Sequence, residues 1–120
     1  MKIKDFKDIE SWKEARELVK LIYSTTSKGK FSKDFGLKDQ IQRASVSIMS
    51  NIAEGFDSGS DKAFISFLNY AYRSATEVES LLYVIIDLQY INETEFKMLI
   101  EKIKKIKKLI GGFIKYLKGK

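Results

Sequence analysis

Apolar residues recur along the chain at steps of three and four positions, the spacing that places side chains on one face of an α-helix. Four stretches with this spacing predict four helices. The first covers roughly residues 9–26, and the second begins between residues 35 and 37 and ends at Gly55. The third follows Ser60 to about Leu88, and the fourth follows Asn92 through Leu117.

Local signals at the ends of these stretches support the boundaries. Asp8, Ser60 and Asn92 each precede a periodic segment, and their side chains suit the N-cap position. Glu95 lies three residues after Asn92, which is the spacing of a capping box. At the other end of the second helix, Gly55 suits a left-handed C-cap.

Four amphipathic helices joined by short polar connections, without any strand-like alternation, predict an all-α fold. The fourth helix keeps a 3.5-residue period over three heptads, which is typical of helices packed in a bundle. The chain has no proline and no linker-like segment, so residues 1–120 are expected to form one domain. We therefore predict a single antiparallel, up-down-up-down four-helix bundle.

The third and fourth helices carry more apolar residues than one core stripe needs. These additional residues are Ile65, Leu81, Val84, Ile86, Ile100, Leu109, Ile114 and Tyr116. One interpretation is that they form the shoulders of a wide core stripe. The other is that they form a subunit interface, because monomers rarely expose large apolar patches. Gly111 and Gly112, inside the fourth helix, suggest a close helix approach, a local bend or fraying near the end of the chain.

The composition removes most enzyme chemistry. Cysteine and histidine are both absent, which excludes thiolate nucleophiles, Cys- or His-based metal sites and the commonest general base. No phosphate-binding glycine loop or nucleophile elbow is present. The charged N-terminal residues do not resemble a secretory signal. We expect a soluble, cytoplasmic, non-enzymatic protein without metal or cofactor.

The charge is concentrated in one segment. The net charge of +6 lies entirely in residues 93–120, which carry nine lysines and three glutamates. Such a face is either an ordinary solvated surface or a site for a phosphate backbone. The candidate nucleic-acid-binding residues are Lys97, Lys104, Lys105, Lys108, Lys115 and Lys118. Because this basic face has no arginine cluster and is not a patch interleaved with aromatic residues, we expect non-specific, salt-sensitive binding to RNA or DNA without base stacking.

Polar residues form a second stripe on the two central helices. The candidates for a structural polar network are Arg43, Ser47, Asn51, Glu54, Glu77 and Glu79. We expect Arg43 to pair with Glu77 or Glu54 across the helices and to fix their register. A catalytic role for these carboxylates is the alternative, but a di-iron site is excluded because bundle sites of that kind require histidine.

Three stretches resemble a known family: FKDIESWKEA at residues 6–15, RASVSIMSNIAEGF at 43–56 and FISFLNYAYRSATEVE at 64–79. They look like the four-helix bundle proteins of 23S rRNA intervening sequences, also labelled the S23 ribosomal protein family. That family is similar to the accessory variability proteins of diversity-generating retroelements. The matching signature positions are Trp12, Arg43, Ser47, Asn51, Glu54, Gly55, Glu77 and Glu79.

The resemblance implies a homopentamer around a central channel and an association with nucleic acid. The leading hypothesis is therefore a non-enzymatic, homo-oligomeric bundle, pentameric as the resemblance implies, that binds RNA or DNA non-specifically through the lysine-rich face of its last helix. The alternative is a protein-interaction scaffold, for example an accessory subunit of a retroelement reverse transcriptase. An enzyme that uses only glutamate and arginine is the third hypothesis.

Overall fold

The computed structural model describes residues 3–120 and contains four long helices in that range. They are α1 (Glu10–Thr26), α2 (Phe35–Phe56), α3 (Asp61–Asp87) and α4 (Glu93–Lys118). Two short 3-10 helices, Phe6–Asp8 and Gly29–Lys33, precede α1 and α2. Within the described residues there is no strand, so the predicted all-α fold is confirmed.

The helices form an elongated bundle of 47 × 21 × 19 Å. Each helix contacts its neighbours in the order α1, α2, α3, α4, and α4 returns to α1. Contacts between α2 and α3 are the most extensive, whereas those between α1 and α4 are the sparsest of the four helix pairs. No helix between residues 3 and 120 combines the length and apolar character that a membrane span requires.

The three- and four-residue spacing predicts the buried face of each helix, with a one-residue shift at Val19 in α1 and another at Phe67 in α3, where the neighbouring Leu68 is fully buried instead. Leu99, Ile103 and Ile106 of α4 are fully buried, as their spacing predicted. In α1, however, Leu18 is fully buried whereas Val19 is only half-buried. Positions three and four residues along a helix share a face, so the spacing alone does not choose between such neighbours.

Two of the predicted N-caps are confirmed. The Ser60 hydroxyl accepts a hydrogen bond from the backbone N–H of Ala63 at 3.1 Å. Asn92 and Glu95 form the complete capping box. The Asn92 side chain accepts from the Glu95 N–H at 2.8 Å, and the Glu95 carboxylate accepts from the Asn92 N–H at 3.2 Å.

The predicted cap at Asp8 is wrong. The N-cap of α1 is Ile9, which has an extended backbone, makes no side-chain cap and is buried. Asp8 instead belongs to the preceding 3-10 helix, where its carboxylate accepts from the Asp5 N–H at 3.2 Å. Asp5 starts a separate turn, so the carboxylate of Asp8 serves that turn instead of α1.

Gly55 is also not the left-handed C-cap that the sequence suggested. It is a buried residue of α2, which continues to Phe56, while Gly59 in the following connection has the positive φ of 89°. A Cβ atom at Gly55 would lie 2.7 Å from the Cβ of Phe67 in α3. The glycine is therefore needed for close helix packing and not for the turn.

Most of the additional apolar residues extend the core. Leu81 and Ile100 are buried, and Ile65, Ile86 and Ile114 are partly buried against the core. Val84 and Tyr116, in contrast, remain 43% and 44% exposed. The five buried and partly buried residues are therefore shoulders of the core stripes. Val84 of α3 and Tyr116 of α4 are apolar surface that the bundle leaves exposed.

Gly111 and Gly112 do not mark a close helix approach. Helix α4 continues through both residues to Lys118. Apart from the adjacent residues and the backbone of α4 itself, a Cβ atom added at either glycine would meet no atom within 4 Å. The interpretation that these glycines allow a neighbouring helix to approach is therefore wrong, and the space above them is open.

One end of the bundle is closed by an aromatic contact between two connections. Phe31, in the 3-10 helix before α2, is buried and its ring stacks on Tyr90 at 5.1 Å between centroids. The Tyr90 hydroxyl donates to the Asp34 carboxylate at 2.9 Å, and this hydrogen bond raises the pKa of Tyr90. The other Asp34 carboxylate oxygen caps α2 by accepting from the Leu37 N–H.

Candidate nucleic-acid interface

Five of the six candidate lysines form an exposed set on α4, which we call the lysine row. Its members are Lys97, Lys104, Lys108, Lys115 and Lys118. Within residues 3–120, none of the five has an acidic partner within 4 Å. The sixth candidate, Lys105, is 59% exposed but lies 3.4 Å from the Glu14 carboxylate.

Helical geometry aligns the lysine row. Lys97, Lys104, Lys108 and Lys115 follow one another at steps of seven, four and seven residues, so they lie near one line along α4. That line is about 27 Å long at about 1.5 Å per residue. Like charges one turn apart, such as Lys104 and Lys108, repel each other on a helix. The lysine row is therefore an electrostatically unsatisfied surface that suits an acidic ligand.

The lysines beside the row serve the bundle itself. The ammonium groups of Lys102 and Lys105 lie 2.9 Å and 3.4 Å from the Glu14 carboxylate of α1, and these ion pairs join the two long helices that pack most sparsely, α1 and α4. The Glu14 side chain is only 15% exposed. The hydrogen bond from Lys102 lowers the pKa of Glu14 against the opposing effect of burial, and the charges of Lys102 and Lys105 lower it further.

A second ion pair joins α3 to α4. The Lys107 ammonium lies 3.0 Å from the Glu79 carboxylate, and both side chains are about one-fifth exposed. The same ammonium lies 5.0 Å from the ring centroid of Tyr72, within the range of a cation–π contact. Glu79, a predicted member of the polar network, is thus paired with α4 and not with α2.

These residues border a shallow depression of about 430 Å³, which we call the α3–α4 groove. It is lined by Tyr72 and Glu79 of α3 and by Lys104, Lys107, Lys108, Gly111 and Gly112 of α4. The expectation that no aromatic residue lies among the lysines is therefore wrong for Tyr72, which is 37% exposed. Tyr72 and Glu79 are seven residues apart on one helix face, but their apposition to α4 depends on the rotation of α3 in the bundle.

The predicted pairing of Arg43 with Glu77 or Glu54 is wrong. Arg43 binds Asp39, one turn earlier in α2, at 2.8 Å, and both side chains are largely exposed. Glu77 instead accepts from the Gln40 amide at 3.1 Å, and Glu54 is exposed. Residues four apart face each other along one side of a helix, which favours the pair with Asp39 on α2.

Hydroxyl and amide groups provide the polar contact between α2 and α3. The hydroxyls of Ser47 and Ser74 lie 2.8 Å apart. The Asn51 amide donates to the Ser47 carbonyl at 2.9 Å and to its hydroxyl at 3.0 Å. Of the six predicted network residues, the structure brings together only Ser47 and Asn51.

No group of three or more acidic side chains in residues 3–120 is arranged to hold a metal ion. The α3–α4 groove presents lysine ammonium groups, the Glu79 carboxylate and the ring of Tyr72. Those groups suit reversible binding of an anion or a nucleotide.

Two comparisons with known proteins agree with this fold. The sequence model of the 23S rRNA-intervening sequence protein family matches residues 7–112. The chain is also similar to a crystal structure from Bacteroides thetaiotaomicron, described as a protein of unknown function from the S23 ribosomal protein family. The two share 28% sequence identity with a TM-score of 0.80, over 88% of this chain and 95% of that one.

Among curated proteins, none matches the chain significantly. The family match nevertheless covers nearly the whole bundle, from the 3-10 helix before α1 to the glycine pair of α4. The chain therefore belongs to the family of 23S rRNA-intervening sequence proteins.

Proposed function

We propose that this protein is a non-enzymatic, homo-oligomeric bundle of the cytoplasm that binds RNA or DNA backbones through the lysine row of α4. The observation that carries the proposal is the set of five exposed lysines on one helix, none paired with an acidic group of residues 3–120. Residues 1–92 carry no net charge, so the entire positive charge of the chain lies in residues 93–120, the segment that contains the lysine row.

Backbone binding follows from the electrostatics of the row. Lysine ammonium groups that contact phosphates release condensed counterions, and the resulting affinity is independent of base sequence and falls as salt rises. Five contacts in one copy would give a slope of log K against log salt of roughly −4. The lysines that hold the bundle together, Lys102 and Lys107, would contribute little because their charges are already paired.

A homopentamer, which the family resemblance implies, would multiply this surface fivefold. Exposed apolar side chains on α3 and α4 could be buried in contacts between subunits. They include Tyr83, Val84 and Tyr116, which are 50%, 43% and 44% exposed. Light scattering coupled to size exclusion measures the mass directly. A monomer at micromolar concentration would overturn the oligomeric part of the proposal.

The binding test compares two triple variants with the same change in net charge. The first neutralises three members of the lysine row: Lys104→Gln, Lys108→Gln and Lys115→Gln. The control neutralises three exposed lysines of α1 and its following turn: Lys13→Gln, Lys20→Gln and Lys28→Gln. The measurement is fluorescence anisotropy with a labelled mixed-sequence RNA at ~50 and ~200 mM salt.

We expect the lysine-row variant to lose at least ~30-fold in affinity at the lower salt, while the control loses only a few-fold through long-range electrostatics. Equal losses in both variants would show that net charge, and not the row, attracts the RNA. Absence of binding by the wild-type protein at ~50 mM salt would overturn the proposal.

The second candidate function is a protein-interaction scaffold, such as an accessory subunit of a reverse transcriptase. The observation that favours it is an apolar depression of about 300 Å³ lined by Phe6, Trp12, Val46, Met49 and Ala53, with Ser50 as its polar member. This surface lies between the N-terminal segment and α2. A reverse transcriptase that co-purifies with the protein after nuclease treatment, and is released by Val46→Asp, would support this function.

A further inference from the structure

We propose that the α3–α4 groove holds one nucleotide of a single-stranded nucleic acid. Its phosphate would lie between Lys104 and Lys108, and its base would stack on the ring of Tyr72. This inference rests on the proposed binding of nucleic acid by the lysine row. The form of nucleic acid is a single strand, and Tyr72 is the residue that distinguishes it from a duplex.

The charges in the groove suit a phosphodiester. Lys107 and Glu79 neutralise each other at 3.0 Å, so Lys104 and Lys108 supply the remaining positive charge. These two lysines are exposed and lie one helical turn apart. A phosphate placed between them would relieve their mutual repulsion and would gain two charge-assisted hydrogen bonds.

Tyr72 supplies an aromatic surface beside those lysines. The Lys107 ammonium lies 5.0 Å from its ring centroid and is itself held by Glu79, so the ring is supported from α4. The side chain is still 37% exposed. A base can therefore stack on the ring while the phosphate beside it meets the lysines, which is the usual combination in proteins that bind single strands.

The glycine pair gives this nucleotide room. Gly111 and Gly112 line the groove, and no atom of another helix lies within 4 Å of the position that a Cβ would occupy at either residue. Neighbouring helices therefore do not require glycine at these positions. Two consecutive glycines weaken a helix relative to alanine, and open access to the α4 backbone is the function that we assign to them.

The tyrosine favours a single strand over a duplex. Bases in a duplex are stacked on both faces, so a side chain on the protein surface does not reach them without unstacking the helix. A flexible single strand, in contrast, can turn one base toward Tyr72 while its backbone follows the lysine row. RNA and DNA share this chemistry, so the experiment uses both.

The test measures anisotropy with three labelled probes: a twelve-nucleotide oligo-U RNA, the matching oligo-dT DNA and a twelve-base-pair duplex. Tyr72→Leu removes the ring without changing charge, and Gly111→Gln fills the groove with a neutral side chain. Their matched controls are Tyr23→Leu, at a 47% exposed tyrosine of α1, and Gly36→Gln, at another helical glycine with open space around it.

We expect Tyr72→Leu and Gly111→Gln each to weaken binding of both single strands about tenfold, with duplex binding unchanged within about twofold. The controls should bind like the wild type. Tyr72→Phe keeps the ring and should also keep the affinity, so it separates loss of stacking from loss of folding.

The outcomes separate this inference from the function on which it rests. If the lysine-row variant loses affinity but Tyr72→Leu and Gly111→Gln do not, the groove inference is overturned and backbone binding stands. If both variants weaken duplex binding as much as single-strand binding, the preference for single strands is overturned. If no probe binds the wild type at ~50 mM salt, the proposed function fails, and this inference fails with it.

Discussion

A Cβ atom placed on Gly55 in α2 would lie 2.7 Å from the Cβ of Phe67 in α3, closer than packed carbon atoms tolerate. It would also lie 2.8 Å from the Cδ1 atom of Phe64. Neither contact involves the far end of a long, flexible side chain, so relief requires movement of an aromatic ring or of the α3 backbone. The glycine thus sets how closely the two helices pack.

Gly55→Ala should therefore lower the free energy of unfolding by about 2 kcal/mol, because overpacking outweighs the better helix propensity of alanine. Gly112→Ala is the matched control in open space and should raise that free energy by roughly 0.5–1 kcal/mol. Urea denaturation measures both values. A stabilised Gly55→Ala protein would show that α2 and α3 can separate without cost.

The Glu14 ion pairs predict a pH-dependent contribution to stability. Its pKa in the folded protein is lowered from the ordinary glutamate value of about 4.5, first through the hydrogen bond from Lys102. A carboxyl whose folded pKa lies below its unfolded pKa stabilises the fold above the unfolded pKa. That contribution is lost as pH falls from about 4.5 through the folded pKa.

Glu14→Gln should accordingly cost about 1 kcal/mol at pH 7, and its difference from the wild type should shrink as the pH falls below 4.5. Glu17→Gln changes an exposed glutamate of the same helix and should have little effect at either pH. Thermal melts between pH 3 and pH 7 provide the comparison. A pH-independent loss for Glu14→Gln would assign the effect to packing.

The polar contacts between α2 and α3 predict a contrast between two substitutions. Ser47→Ala removes the hydroxyl that contacts Ser74 and one of the two acceptors of the Asn51 amide, and should cost about 1 kcal/mol of unfolding free energy. Arg43→Met removes only a surface pair with Asp39 and should change stability by less than about 0.5 kcal/mol. Denaturant titration distinguishes the two, and a large loss for Arg43→Met would restore the idea that Arg43 fixes register.

The lysine row predicts a graded salt dependence of nucleic-acid binding. Each single change at Lys97, Lys104, Lys108 or Lys115 to glutamine should reduce the magnitude of the slope of log K against log salt by about 0.7–0.9. Lys102→Gln should leave the slope nearly unchanged because its charge is held by Glu14. If the four row variants kept the slope of the wild-type protein, these lysines would not contact phosphate.

Periodicity was sufficient to predict the fold but not the groove. The spacing of Leu99, Ile103 and Ile106 determines which face of α4 is buried, because helix geometry fixes that face independently of its neighbours. The spacing does not reveal that Leu68 is fully buried and Phe67 is not, since both lie near the same face of α3. The rotation of α3 that brings Tyr72 to α4 depends on how those side chains pack.

The contact of Tyr90 with Phe31 and Asp34 has a consequence for the folding rate. Tyr90 and Asp34 are 56 positions apart, so the entropy cost of closing this long loop favours formation of the contact late in folding. A contact made after the transition state mainly slows unfolding. In stopped-flow experiments Tyr90→Phe should therefore unfold faster and fold at a nearly unchanged rate, whereas slower folding would place the contact in the transition state. This end of the bundle then determines how long a folded molecule survives and not how quickly it forms.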